Sequence, residues 1–237
     1  MSRITTIIFD MYDTLAQNHS RFWLDTFSHI IQEQGLNVSR DSLWQEWRKL
    51  DVGARRRRIQ PGEPFRSYFE SWRDSFTGAF AALGLAGDAG AAIRHAFWDM
   101  GQRPAYPESV EAVGQVQSRW RTALLSNADD DYLRPNLAHL GLKFDNVLSS
   151  EEARCYKPRP ELFQEMLRRL DATPQECFYV GDRQFEDVQG AGQVGMRTVL
   201  INRSGAALDP KLPQPDHQIS SLLEVSALVL QLKDRRE

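Results

Sequence analysis

The run Ile7-Ile8-Phe9, which stops at Asp10 and breaks into the turn residues Asp13-Thr14, constrains this chain more than any other stretch. Uninterrupted β-branched and aromatic residues mark a strand buried on both faces. Strands of that kind belong to parallel sheets, with crossover helices on either side. The pattern returns later. Thr122–Ser126, Cys177–Val180 and Thr198–Ile201 read as strands, with Phe144–Leu148 and Ile219 as shorter ones. Helical spacing fills the gaps at Glu108–Trp120, Asp130–Leu140, Pro160–Leu170 and Glu186–Val194, and again at Leu222–Leu232. Thr173-Pro-Gln-Glu176 resembles a capping box with proline at the first helical position.

Between the first strand and Pro104 the texture differs. Apolar residues fall at helical spacing in Arg21–Gln34, which Gly35 closes. Ser39 can cap a second helix carrying Leu43, Trp44, Trp47 and Leu50. Pro61, Gly62 and Pro64 break the chain before a third helix over about Phe65–Leu83, and a fourth spans Ala89–Met100. No strand pattern interrupts them, and five of the six tryptophans fall here, at helical spacing that suits core packing. The predicted fold is therefore α/β: a Rossmann-like, doubly wound parallel sheet over residues 1–16 and 104–237, with an inserted all-α helical domain over 17–103.

The totals exclude several classes. A net charge of −3 lacks the basic excess of a general nucleic-acid binder. No stretch approaches the roughly 18–20 apolar residues of a membrane span. Cys155 and Cys177 have no framework spacing, which suits a reducing cytoplasm, and the five histidines show no metal-ligand spacing. A monomer or homodimer acting on a small anionic molecule is the expectation.

In a doubly wound sheet, ligands bind outside the carboxyl ends of the strands. Asp10, Ser126-Asn127 and Asp182 all stand at such ends and should converge, although they lie far apart in the chain. Each alone is ordinary turn chemistry. Together they form a site. Asp10 can act as a nucleophile or hold a metal. Ser126 and Asn127 can hold oxygens of a transferring group. Lys157, fixed by the prolines of Lys157-Pro-Arg-Pro160, can neutralise a carboxylate and its substrate. Asp182 and Asp187, five apart, add two carboxylates, giving with Asp10 an oxygen-rich set of the kind Mg2+ takes. Arg183 can touch substrate or pair with Glu186.

These four segments resemble the four motifs of the haloacid dehalogenase superfamily of hydrolases, in order and at similar spacing, with the helical insert where one subfamily carries its cap. The resemblance implies Asp10 as nucleophile and Mg2+ ligand, with Thr14 in the turn behind it, and residue 12 offering its backbone carbonyl to the metal. It implies Ser126 and Asn127 as phosphoryl-binding groups and Lys157 as a bridge between nucleophile and substrate. Asp182 and Asp187 would complete the metal site.

Tyr12 departs from the phosphatase pattern. Phosphatases of the superfamily carry there a second aspartate that protonates the leaving group, a contribution of roughly 10²–10⁴-fold. A tyrosine at this position resembles the 2-haloacid dehalogenases, whose halide leaves without a proton. Trp47-Arg48 in the insert resembles a cap arginine that receives halide in those enzymes. They need no metal, however, and typically carry a small neutral residue where Asp182 stands. The intact Asp182/Asp187 pair makes a Mg2+-dependent phosphatase, working through an aspartyl-phosphate on Asp10, the leading expectation. A dehalogenase-like hydrolase is the alternative, and a weakly active or ligand-binding member the third.

Overall fold

A computed structural model describes residues 3–234. In chain order the elements begin with β1 (Thr6–Phe9), α1 (Ser20–Gln34), α2 (Arg40–Arg58), α3 (Tyr68–Ala82) and α4 (Ala89–Met100). Next come α5 (Ser109–Gln117), β2 (Arg121–Ser126), α6 (Asp130–Leu140), β3 (Asn146–Ser149), α7 (Ser150–Ala153) and α8 (Pro160–Leu170). The chain continues through β4 (Cys177–Gly181), α9 (Gly190–Gln193), β5 (Arg197–Ile201), β6 (His217–Ile219) and α10 (Glu224–Asp234). Contacts divide it into an α/β unit (Met1–Gln17, Pro104–Asn127, Leu140–Glu237) and a helical unit (Asn18–Arg103, Ala128–His139).

The α/β unit holds one six-stranded sheet of order β3-β2-β1-β4-β5-β6, parallel throughout. It is the doubly wound arrangement expected from the buried runs. Ile7, Ile8 and Phe9 are fully buried, and each such side chain stabilises the fold by roughly 1.5–3 kcal/mol. The α8 stripe Leu162, Phe163, Met166, Leu167 and Leu170 covers a core face with Ile8, Leu125, Leu148 and Tyr179. Register sets the level of the strand ends: Phe9 lies opposite both Leu124 and Val180. The residues that follow these three strands thus leave the sheet along one edge. The strand order reverses at β1, where ligands settle in such sheets.

The helical unit is built on aromatic packing. Trp23 stacks on Trp47 at 5.1 Å, and Trp72 on Tyr132 of α6 at 5.8 Å. Trp23, Trp47 and Trp72 are buried, whereas Trp98 is exposed. Although α6 follows β2 in the chain, its contacts lie with the helices. The Asp129 carboxylate accepts the Tyr68 and Phe69 amides at the start of α3, and Asn136 donates to the Arg103 carbonyl. Part of the Arg55–Arg58 run serves packing. Arg55 pairs with Asp51 at 2.7 Å, and Arg58 donates to the Tyr68 hydroxyl and lies over its ring.

Two local expectations shift. The third helix starts at Tyr68 rather than near Phe65, because Ser67 and Glu70 form a capping box. The Thr173–Glu176 box forms as expected, over a 3-10 turn that leads into β4. The segment expected as a helix from Glu186 is a π-helical turn, Gln184–Gln189, followed by α9. Both cysteines are free thiols. Among the described residues no helix is long and apolar enough to cross a membrane.

Candidate active site

The carboxyl edge of the sheet gathers Asp10, Ser126, Lys157, Tyr179, Asp182 and Asp187 within the α/β unit. Asp10 follows β1 directly, and its amide donates to the Val180 carbonyl of β4. The Asp10 carboxylate is buried and fully engaged. Oδ1 accepts from Lys157 Nζ at 2.6 Å and from the Ser126 hydroxyl at 3.2 Å, while Oδ2 accepts from Thr14 at 3.2 Å. Thr14 is itself buried, so its hydroxyl serves the carboxylate from behind.

Lys157 is also buried, and its ammonium bridges three groups: Asp10, Asp187 Oδ1 at 2.7 Å and the Tyr179 hydroxyl at 3.0 Å. Asn127 fixes the lysine's backbone from both sides. Its amide oxygen accepts the Lys157 N–H at 2.8 Å, and its NH2 donates to the Lys157 carbonyl. Asn127 therefore holds the lysine loop, and the Lys157–Pro158 peptide bond is cis. The two carboxylates raise the lysine's pKa well above its ordinary value against the opposing effect of burial, so it stays charged.

Asp187 comes from the π-helical turn. Its Oδ2 accepts the Arg183 backbone N–H at 2.9 Å, and its Oδ1 also receives the Tyr179 hydroxyl at 3.2 Å. Asp182 sits one residue beyond β4, with its carboxylate 3.0 Å from Arg183 Nε. Arg183 pairs there and reaches to 4.0 Å from Asp13. Carboxylate oxygens of Asp10, Asp182 and Asp187 all lie within 4.8 Å of one another. Burial, with Asp187 nearby, holds the Asp182 pKa well above the carboxylate range. Burial likewise raises Asp10 to about 6, against the pull of Lys157.

Two of the three carboxylates thus share the Lys157 ammonium, and the third pairs with the Arg183 guanidinium. The set has the hard oxygen donors that suit Mg2+, and a divalent cation there would offset the surplus negative charge. Tyr12, half-buried, pairs with Ala16 in a bridge that shapes the turn after Asp10. Beside Asp182 a cleft of about 370 Å³ opens, lined in part by Asp13, Tyr106, Gln184 and Arg203. Arg48 is exposed on the helical unit. Tyr179 escaped the sequence reading. A tyrosine inside a buried strand does carry a signal, because its hydroxyl must find a partner, but the strand pattern cannot say which.

A parallel doubly wound sheet that brings a lysine-paired aspartate to its carboxyl edge places the chain among α/β proteins with a buried, charged site at the ligand-binding edge. The family model for haloacid dehalogenase-like hydrolases matches residues 4–195, and the chain belongs to that family. It is 28% identical over 237 residues to (S)-2-haloacid dehalogenase 1 of Pseudomonas sp. strain CBS-3, covering 98% of this chain and 99% of that protein. It is 34% identical over 154 residues to phosphoserine phosphatase of Thermus thermophilus, covering 63% of this chain and 61% of that one. A dehalogenase crystal structure superposes with a TM-score of 0.76 at 25% identity, covering 96% of this chain and 98% of that one.

Proposed function

We propose that Asp10 is the nucleophile of a hydrolase whose leaving group departs without a proton, and that the substrate is a 2-haloacid. Tyr12 carries this reading. The position two residues beyond the nucleophile holds no carboxyl group to protonate a leaving oxygen, and a halide needs none. Similarity to a 2-haloacid dehalogenase along the whole chain supports it. An Asp10 oxygen attacks C2, and the carbon–halogen electron pair leaves with the halide. Water then adds to the resulting ester at the Asp10 carbonyl carbon and the acyl–oxygen bond breaks; one water proton goes to the departing 2-hydroxyacid oxygen, the other passes to solvent, and the carboxylate is restored. Lys157 holds Asp10 in place and lowers the charge that an anionic substrate meets. Asp182 is paired with Arg183 at 3.0 Å, which tempers the negative charge at the edge of the site.

The three-carboxylate cluster favours a second reading, a Mg2+-dependent phosphatase. Asp10, Asp182 and Asp187, with the Tyr12 carbonyl, would hold the ion, which offsets repulsion between Asp10 and a phosphate. Ser126 would then bind the phosphoryl oxygens, and Lys157 would bridge Asp10 and substrate. Lacking a carboxyl at position 12, such an enzyme would favour esters with good leaving groups, aryl phosphates above alkyl ones.

A panel of 2-chloropropionate, an aryl phosphate and an alkyl phosphate decides between them, run with Mg2+ and with chelator on wild type and Asp10→Asn. Halide release in chelator, lost in Asp10→Asn, supports the first reading. Phosphate release that needs Mg2+, with no halide, supports the second. No turnover that depends on Asp10 overturns both.

A further inference from the structure

We infer that Arg203 is a positioning residue that sets the turn carrying the nucleophile, an inference resting on the reading of Asp10 as nucleophile. Arg203 lies two residues beyond the end of β5, two strands away from β1 in the sheet. Its guanidinium crosses to the segment after Asp10. Nη1 donates to the Asp13 carbonyl at 3.0 Å, and Nη2 to the Thr14 carbonyl at 2.8 Å. Two further N–H groups, Nε at 3.1 Å and Nη2 at 2.9 Å, grip Glu108 Oε1, and the plane lies 3.5 Å from the Tyr106 ring centroid. The arginine is 22% exposed and its carboxylate partner 18%. Four of the five donors are thus committed, and the group is held by its own supports.

The turn it grips needs an external hold. Asp13 adopts a left-handed conformation (φ 63°), which costs a residue with a β-carbon energy that its surroundings must offset. The turn closes through the Met11 carbonyl, which accepts both the Leu15 and Ala16 amides, and through the Asp13 amide, which donates to the Ala16 carbonyl. Within that turn Thr14 projects its hydroxyl onto Asp10 Oδ2. The connection runs from Arg203 to the Thr14 backbone and from the Thr14 hydroxyl to the nucleophile. The guanidinium touches no atom of Asp10, so its influence passes through Thr14. A lysine cannot reproduce it, because a single ammonium lacks the planar fork that spans two carbonyls and a carboxylate.

The test combines kinetics with a measurement independent of turnover. Arg203→Met, Arg203→Lys, Thr14→Val and the Arg203→Met/Thr14→Val double variant are compared by urea melts and by steady-state kinetics on the substrate that wild type turns over. Arg203→Met is expected to lower kcat by at least roughly tenfold, with KM within about twofold, because misplacement of the reacting group acts on the chemical step. Arg203→Lys should recover only part of the loss. In the Thr14→Val background Arg203→Met should cost much less than in wild type. Site-resolved hydrogen exchange on free protein should show the Asp13, Leu15 and Ala16 amides exchanging about tenfold faster in Arg203→Met, with Arg121–Ser126 unchanged. Unchanged exchange in the turn, or kcat losses that multiply fully in the double variant, would overturn the assignment. If wild type shows no turnover that depends on Asp10, the hydrolase reading falls, and the exchange result decides by itself whether Arg203 holds the turn.

Discussion

The Asp187 carboxylate rests directly on the α-carbon of Gly181: a β-carbon at position 181 would lie 2.4 Å from Asp187 Oδ2. That contact is far inside any tolerable separation. Gly181 closes β4, and its missing side chain is what lets the π-helical turn place Asp187 against the sheet edge, where Oδ1 meets Lys157. Gly181→Ala is therefore expected to push Asp187 away from Lys157. Overpacking of this kind costs typically about 1–3 kcal/mol, readable in a urea melt. The misplaced carboxylate should lower kcat by about 10²-fold. An alanine variant with wild-type stability and rate would show that Asp187 can shift without consequence.

Lys157 offers a sharper test of the buried charges. Its ammonium is the shared partner of Asp10 and Asp187, and all three groups are buried. Removing one partner of a buried ion pair leaves uncompensated charge, at a cost of about 3–5 kcal/mol. Lys157→Met should accordingly lose both activity and stability. Adding Asp187→Asn to it removes one of the stranded carboxylates, and the double variant should recover part of the stability but none of the activity. Equilibrium denaturation of wild type, both single variants and the double variant makes the comparison. Additive losses would mean that the two residues are energetically independent.

Tyr12 separates the two proposed chemistries. On the phosphatase reading, Tyr12→Asp restores an acid and base beside the nucleophile and should raise turnover of alkyl phosphates by roughly 10²–10⁴-fold. On the dehalogenase reading it adds a negative charge near an anionic substrate, and halide release should fall. Parallel assays of phosphate and halide on the one variant distinguish the cases.

The strands, and the place of Asp10 at the end of the first, were legible because burial leaves a mark in composition. Ile7, Ile8 and Phe9 announce a strand with two covered faces, and the abrupt Asp10 announces its end. Topology then brings Ser126, 116 positions away, onto Asp10, as the strand-end argument requires. Arg203 could not be found that way. Its bonds to Asp13 and Thr14 span 190 and 189 positions and start from a loop with no periodicity. The grouping of α6 with the helical unit is hidden for a similar reason. Its apolar spacing fits a helix against a sheet as well as one against Trp72 and Phe97.

The acid–base state of Asp10 gives a prediction in which activity and stability move in opposite directions. Burial raises its pKa to about 6, partly opposed by Lys157. A protonated carboxyl is no nucleophile, so in chelator kcat/KM should rise with pH and level off above about 6. For stability the sign reverses. The unfolded chain releases this proton near about 3.9, the ordinary aspartate value. Between there and about 6 the folded state keeps a proton that the unfolded state has lost. The contribution of Asp10 to stability therefore declines as pH rises through that window. A cation held by Asp10, Asp182 and Asp187 favours their ionised forms, so saturating Mg2+ should move the kinetic midpoint to lower pH if the metal site is real. Rate–pH profiles with chelator and with Mg2+, each paired with a denaturation series at the same pH values, measure both effects. A midpoint indifferent to Mg2+ would favour the metal-independent dehalogenase, and a rate flat across the window would remove Asp10 ionisation from the rate-determining chemistry.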